Sequence, residues 1–264
     1  QLKEYQNNTN DWLFGYLTYD LKNNLEKLES LNDDYLQFPD LLFFHPKKLI
    51  FFEGHSIRFE YLNMCSDEID SDFDEIISIE IEVSENAKNI QVQSKLTFNE
   101  YEEGFNKVMN HIQRGDIYEA NYCMEFFVKD MSLNCLDVFW KLNEISEPPF
   151  ACFAKINHHF VMSASPERYV KKEGLKIISQ PIKGTARRGN SQDEDLLLKD
   201  NLAANEKEKS ENVMIVDLVR NDLSRTAIKN SVVVEELFGI YTFKQVHQMI
   251  STVVSEVSKE LNPQ

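Results

Sequence analysis

The chain of 264 residues is 42% hydrophobic and 27% charged, with 18 Phe, 10 Tyr and 2 Trp, the composition of one large globular domain or two small ones. Its formal charge of -16 argues against a polyanion-binding surface, so nucleic acid is not an expected partner. No apolar run reaches the ~20 residues of a membrane helix, and no secretory or transit segment is evident, so no membrane partner is expected.

In chain order, Trp12 to Leu21 reads as an aromatic strand and Leu49 to Tyr61 as a hairpin turning near Gly54. Asp67 to Glu75 holds six acids in nine residues and reads as a solvated face or loop. Thr97-Phe98-Asn99-Glu100 is a capping box. Tyr101, Phe105, Val108, Met109 and Ile112 follow at helical spacing, and Gly115 is a stop. Ile117 to Val128 alternates like a strand. Phe150 to Ala154 and Phe160 to Met162 form a strand pair around Asn157-His158-His159, and Tyr169 to Ile178 forms a hairpin turning at Glu173-Gly174. Ser191-Gln192-Asp193-Glu194 is a second capping box, and a further helix runs from about Asn205 into Arg220. Ser231 to Leu237 and Gln245 to Val257 are rich in β-branched residues and read as strands. Cys65, Cys123, Cys135 and Cys152 have no C-x-x-C spacing and read as reduced, mostly buried thiols of a cytoplasmic protein. Hairpins interleaved with helices predict an α+β fold with largely antiparallel sheet. Neither a G-x-G-x-x-G nor a Walker A sequence is present.

The residues that carry chemistry gather late in the chain. Gly174 to Gln192 contains Lys176, Lys183, Arg187 and Arg188 and no acid. This window suits either a small polycarboxylate or a set of surface salt bridges. Within it, Lys183 precedes Gly184 and Thr185. Glycine admits close backbone approach, threonine supplies a hydroxyl, and a lysine between Ile182 and Gly184 becomes nucleophilic if desolvated. Glu167 ends an apolar strand, where burial makes a carboxylate a general acid; alone it also reads as a turn residue. Glu208 and Glu211, three apart on one helix, share a face and offer oxygen ligands to a hard cation such as Mg²⁺. Acids in a first helical turn are also favoured by the helix dipole alone. Asp217 to Asp222 reads equally as an ion-pair network or a ligand site, and a lone His247 on a strand is ordinarily structural.

Taken together and in this order, five segments resemble the chorismate-utilising enzymes, which include anthranilate synthase component I, aminodeoxychorismate synthase component I and the isochorismate and salicylate synthases. They are Gly115-Asp116-Ile117-Tyr118-Glu119-Ala120-Asn121, Ser165-Pro166-Glu167-Arg168-Tyr169, Pro181-Ile182-Lys183-Gly184-Thr185 with Arg188-Gly189, Met214 to Leu223, and Val246-His247 with Ile250-Ser251. Phe14-Gly15-Tyr16 with Tyr19-Asp20 is similar to the family's earlier Gly-Tyr segment.

The resemblance implies two largely antiparallel sheets packed face to face with helices outside. It implies a partial N-terminal region over residues 1–95 and a chorismate-binding region over 96–264, with parts missing at both ends and little activity for this stretch alone. Glu167 matches the acid beside the departing C4 hydroxyl. Gly184, Thr185 and His247 match substrate-binding positions. Glu211 matches a Mg²⁺ ligand, with Glu208 as the lesser candidate. Asn212 stands where the family usually has His. Lys183 matches the lysine that, in one group of aminodeoxychorismate synthases, attacks C2 as the C4 hydroxyl leaves, whereas anthranilate synthases usually have a small residue there. Isochorismate synthases usually carry a lysine base at the position of Glu119. The implied function is amination of chorismate for 4-aminobenzoate and folate synthesis, with ammonia from a glutamine amidotransferase subunit. The alternatives are anthranilate synthase component I, which Leu28-Glu29-Ser30 faintly favours, and a non-catalytic binding subunit.

Overall fold

The computed structural model describes residues 2–80 and 90–258. The chain divides into two compact units, Gln1–Glu80 with Phe139–Gln264, and Ile81–Val138.

The smaller unit holds β5 (Gln93–Ser94), α4 (Phe98–Arg114) and β6 (Phe126–Phe127), and α5 (Cys135–Ser146) contains its boundary. The predicted capping box forms: the Thr97 hydroxyl accepts from the Glu100 amide, and the Glu100 carboxylate accepts from the Thr97 amide at 2.8 Å. This holds Glu100 below the ordinary carboxylate range. Gly115 ends the helix with φ +78°, a conformation glycine adopts without strain. The strand expected over Ile117 to Val128 is reduced to Phe126–Phe127 paired with Gln93–Ser94. A strand needs a ladder partner, and among the described residues only those two meet one. Tyr122 instead packs against Tyr101 with the rings tilted and their centroids 5.0 Å apart, and its hydroxyl occupies the space a Cβ at Gly104 would need.

The larger unit begins with α1 (Leu2–Thr9), β1 (Phe14–Leu17), α2 (Lys22–Leu25), β2 (Leu41–Phe44), β3 (Lys48–Glu53), β4 (Ser56–Tyr61) and α3 (Ile69–Ser78). The expected first strand is shorter than read: after Leu17 the chain turns into a 3-10 segment at Tyr19–Leu21, because Thr18 bonds to Asp40 through backbone and side chain. The β3–β4 hairpin forms about Gly54 as read. The acidic stretch is a 3-10 turn leading into helix α3, not a loop. Asp72 faces inward and accepts from Lys48 Nζ at 2.6 Å and Tyr61 at 2.7 Å. The lysine holds the Asp72 carboxyl down, and Asp72 and Glu68 push the Lys48 ammonium up.

After α5 come two antiparallel hairpins: β7 (Phe150–Ile156) with β8 (His159–Ser165), and β9 (Arg168–Glu173) with β10 (Lys176–Gln180). Then follow β11 (Ile182–Arg187), α6 (Gln192–Ala204), α7 (Glu206–Ser224), β12 (Val233–Thr242) and β13 (Val246–Glu256). β13 is the centre of a five-stranded antiparallel sheet. One side of it pairs with β10 along its C-terminal half and β11 along its N-terminal half; the other pairs with β12, and β9 lies beyond β10. Pro181, which has no N–H to donate, separates β10 from β11, and its carbonyl accepts from the Ser251 amide. The fold is α+β with antiparallel sheets, as expected. Apart from the five-stranded sheet, the described strands are hydrogen-bonded in pairs.

Side chains alternate along a strand. His247, Met249, Ser251, Val253 and Ser255 occupy one face of β13, none more than 1% exposed. Helix α7 covers that face, with Val216 and Leu223 packed on Val253. The stripe Glu208, Asn212, Val216, Val219 and Leu223 follows the i, i+4 and i, i+3 spacing of one helix face. All four cysteines are free, but only Cys65 is fully buried and Cys123 and Cys152 are exposed, a correction to the expectation of mostly buried thiols. Among the described residues no helix is long and apolar enough to cross a membrane.

Candidate functional site

The Lys183-Gly184-Thr185 segment lies on β11, where the register against β13 shifts between Ile182 and Thr185. Gly184 sits at this irregularity with φ +96°. A Cβ there would meet Glu208 Cβ and Oε2 at 3.2 Å and Met249 Cβ at 3.3 Å. Backbone conformation and space therefore both demand glycine, and its absent side chain lets α7 approach the strand. Thr185 is exposed and stands opposite Gln248.

Asn205 caps α7, its side-chain oxygen accepting from the Lys207 and Glu208 amides. Two turns on, the fully buried Asn212 donates to the carbonyls of Lys183 at 3.4 Å and Met249 at 3.3 Å, and accepts from Ser251 Oγ at 2.5 Å. One carboxamide thus ties the helix to both strands beside the irregularity. Because Glu208 is one turn before Asn212 on the same face, it lies against Gly184. Glu211 is turned aside and half-buried. Lys207 reaches Glu211 at 3.0 Å and Glu208 at 3.6 Å, and these carboxylates raise the Lys207 pKa.

Glu167 stands at the corner between β8 and β9. Its amide donates to Ser165 Oγ at 3.2 Å, and its carboxylate accepts from the Ile182 amide at 3.3 Å, one residue before Lys183. The side chain of Glu167 is exposed, as suits the turn position that its local sequence also allows. The structure nonetheless brings Glu167, Lys183, Gly184, Thr185 and Glu208 to one short stretch of β11.

His247 is placed elsewhere. It lies on the helix-covered face of β13, with Nε2 3.0 Å from Asp195 Oδ1 and Nδ1 2.9 Å from Thr242 Oγ1. Asp195, in the first turn of α6, also accepts from Arg188 Nε and Nη2 at 2.8 Å each and from the Gly189 amide at 2.7 Å. The Arg188 guanidinium, then the Gly189 amide, hold the Asp195 carboxyl far below the ordinary carboxylate range. Gly189 is required there, since a Cβ would collide with the backbone of Glu194 and Asp195. The expected pocket-lining role of His247 thus meets a correction of placement: alternation turns it away from Thr185, and both ring nitrogens are engaged.

The basic window is largely neutralised by the fold's own acids. Lys176 pairs with Glu235 at 2.6 Å, Arg187 with Glu194 at 2.5 Å and Arg188 with Asp195. These three cations form the salt bridges that one of the two readings expects. Along Met214 to Leu223, Val216 and Leu223 enter the core while Asp217 pairs with Arg220 at the surface.

The chorismate binding enzyme family matches residues 1–263. The chain belongs to that family. It is 35% identical over 170 residues to aminodeoxychorismate synthase component 1 of Escherichia coli (strain K12), covering 64% of this chain and 37% of that one. It is 33% identical over 248 residues to an anthranilate synthase component I-like protein of Synechocystis, covering 92% of this chain and 50% of that one. The crystal structure of anthranilate synthase component I from Streptococcus pneumoniae TIGR4 superposes with a TM-score of 0.82 at 21% identity, over 95% of this chain and 58% of that one, which shows a shared fold. The chain spans half or less of the length of the two curated relatives.

Two residues that shape this region were not legible as such in the sequence. Asn212 enters the sequence reading only as a departure; its signal is a lone amide on a stripe continued by Val216, Val219 and Leu223. Asp195 is hidden within a capping segment. No group of three or more His, Cys, Asp and Glu side chains suited to a metal occurs among the described residues. Glu208 and Glu211 offer two hard oxygen ligands within one helical turn, with a lysine now as counter-ion. This suits Mg²⁺, which commonly takes one or two carboxylates and completes its shell with water and ligand oxygens.

Proposed function

We propose that this chain is the chorismate-binding part of a cytoplasmic aminodeoxychorismate synthase component I, which aminates chorismate at C4 for 4-aminobenzoate synthesis. The observation that carries the reading is Lys183 set with Gly184 in the strand irregularity between Ile182 and Thr185, with the Glu167 carboxylate accepting from the neighbouring Ile182 amide.

The neutral Lys183 amine attacks C2 as the C4 hydroxyl departs, and Glu167 gives that hydroxyl its proton, releasing water. Ammonia then bonds to C4 while the bond from C2 to Lys183 breaks. The proton shed by the new ammonium leaves with the lysine amine or returns to Glu167, so chorismate and ammonia become aminodeoxychorismate and water. Gly184 and Thr185 bind substrate through backbone and hydroxyl. Glu211, with Glu208, would hold Mg²⁺, which neutralises substrate carboxylate charge when bound. A glutamine amidotransferase subunit supplies the ammonia. Residues 1–264 alone are expected to have little activity, in keeping with the greater length of the relatives.

A second reading, anthranilate synthase component I, is favoured by the 92% coverage of this chain in the match to the Synechocystis protein. Incubating the complete gene product with chorismate, Mg²⁺ and ammonium, and identifying products by mass, separates the two. Aminodeoxychorismate without pyruvate supports the first; anthranilate with pyruvate overturns it in favour of the second.

A further inference from the structure

We propose that Asn212 and Ser251 are positioning residues for Lys183: their buried, hydrogen-bonded pair fixes the one-residue bulge in β11 that carries the lysine. This rests on the functional reading above, in which Lys183 is the nucleophile. The register of β11 on β13 runs from Ile182 opposite Ile250 to Thr185 opposite Gln248, three steps against two. Lys183 and Gly184 fill the interval, and the surplus residue brings Thr185 to the same face as Ile182. Paired residues share a face, whereas plain alternation would turn Thr185 under α7. β12 carries a matching bulge, from Glu236 opposite Thr252 to Gly239 opposite Ile250. Both flanking strands thus depart from regular pairing about one short stretch of β13, Met249 to Ser251.

Each bulge holds a residue at positive φ, Gly184 at +96° and Phe238 at +62°. For a bulky side chain this conformation is strained and persists only where the surrounding structure holds it. The Asn212–Ser251 pair, both members fully buried, reaches every strand involved. Ser251 Oγ accepts from the Phe238 amide at 3.1 Å and donates to Asn212 Oδ1 at 2.5 Å. The Ser251 amide donates to the Pro181 carbonyl at the entry to β11. Asn212 Nδ2 in turn donates to the carbonyls of Met249 and of Lys183 itself. Within the bulge the Lys183 carbonyl therefore meets a helix side chain, where regular pairing would offer a strand amide. A carboxamide supplies both donors and an acceptor without placing a charge in the interior. The pair so fixes the main chain at Lys183, and with it the point from which the amine reaches C2.

The test uses the complete gene product with Ser251→Ala and Asn212→Ala. Val216→Ala is the control, removing core packing against Val253 from the same helix one turn on. Three quantities are read: the Tm, the kcat for aminodeoxychorismate, and the chorismate Kd by calorimetry without ammonium. All three variants are expected to melt earlier than wild type. At a temperature below every transition, the kcat of Ser251→Ala and Asn212→Ala should fall by about 10- to 100-fold, the scale of a reacting atom displaced by about 1 Å. Their chorismate Kd should change far less, because binding is shared among several groups while attack depends on one amine. Val216→Ala should keep the wild-type kcat. Ser251→Ala, the smaller change, decides the matter if Asn212→Ala does not fold. An unchanged kcat in the folded variants, or an equal loss in Val216→Ala, overturns the inference and leaves the functional reading standing. Wild-type protein that forms no aminodeoxychorismate removes that reading and this inference with it.

Discussion

Ser251 Oγ lies 2.5 Å from Asn212 Oδ1, joining the centre of strand β13 to the buried face of helix α7. The same asparagine donates to the carbonyls of Lys183 and Met249. This single side chain holds the helix that carries Glu208 and Glu211 against the strand that carries Lys183. Asn212→Ala leaves two carbonyls and a hydroxyl without their partner, and is expected to destabilise the protein by about 1–3 kcal/mol. Urea unfolding checks it. Ser251→Ala combined with Asn212→Ala should cost less than the sum of the two, because the residues share one interaction; strict additivity would contradict the coupling.

Gly184 carries the closest approach of helix to strand. Gly184→Ala places a methyl 3.2 Å from Glu208 on a backbone with φ +96°. A loss of about 1–3 kcal/mol follows from the strained conformation. Pairing it with Glu208→Ala relieves the crowding but not the strain, so the double variant should recover only part of the loss, as read by thermal denaturation.

Asp195 predicts an acid limb of stability. Its folded-state pKa is depressed below the ordinary carboxylate value, chiefly by Arg188. The unfolded chain therefore binds the proton first as pH falls. The stabilisation is fully present above about pH 4 and is lost progressively below it. Arg188→Gln removes the largest cause, so the Tm at pH 7 should fall while the further drop between pH 4 and pH 2 becomes smaller. A pH series of melting curves for both proteins reads this directly, and parallel curves would contradict it.

The proposed chemistry separates Lys183 from Glu167. Lys183→Ala removes the nucleophile and should abolish aminodeoxychorismate formation in a protein with an unchanged circular dichroism spectrum. Glu167→Gln keeps the hydrogen bond to the Ile182 amide but has no proton to give. Its kcat should fall by about 10²–10⁴-fold, with the chorismate KM far less affected. Full product formation by Lys183→Ala would end the nucleophile assignment.

Much of the local architecture was readable because its causes are local. The capping segment at Thr97, the stop at Gly115 and the hairpin turns at Gly54, Asn157 and Gly174 depend on residues within four positions of one another. The site was legible as an ordered set of motifs, and Glu167, Lys183, Gly184 and Thr185 do gather on or beside β11. The strand read over Ile117 to Val128 failed for the opposite reason. Alternation states which residues would share a face, but only a partner strand makes a ladder, and among the described residues just two there find one.

By itself, then, the sequence determined the α+β class, most helix and hairpin positions, and the family, through short-range hydrogen bonding, periodicity and motif order. Tertiary structure decided which side chains meet. The phase of α7 on the sheet turned Glu208, and not Glu211, toward Gly184. The register of β13 sent His247 under the helices and Gln248 to the side of Thr185. A shift of one residue on a strand reverses its face, and about 100° on a helix changes its neighbour; both are set by packing between segments distant in the chain.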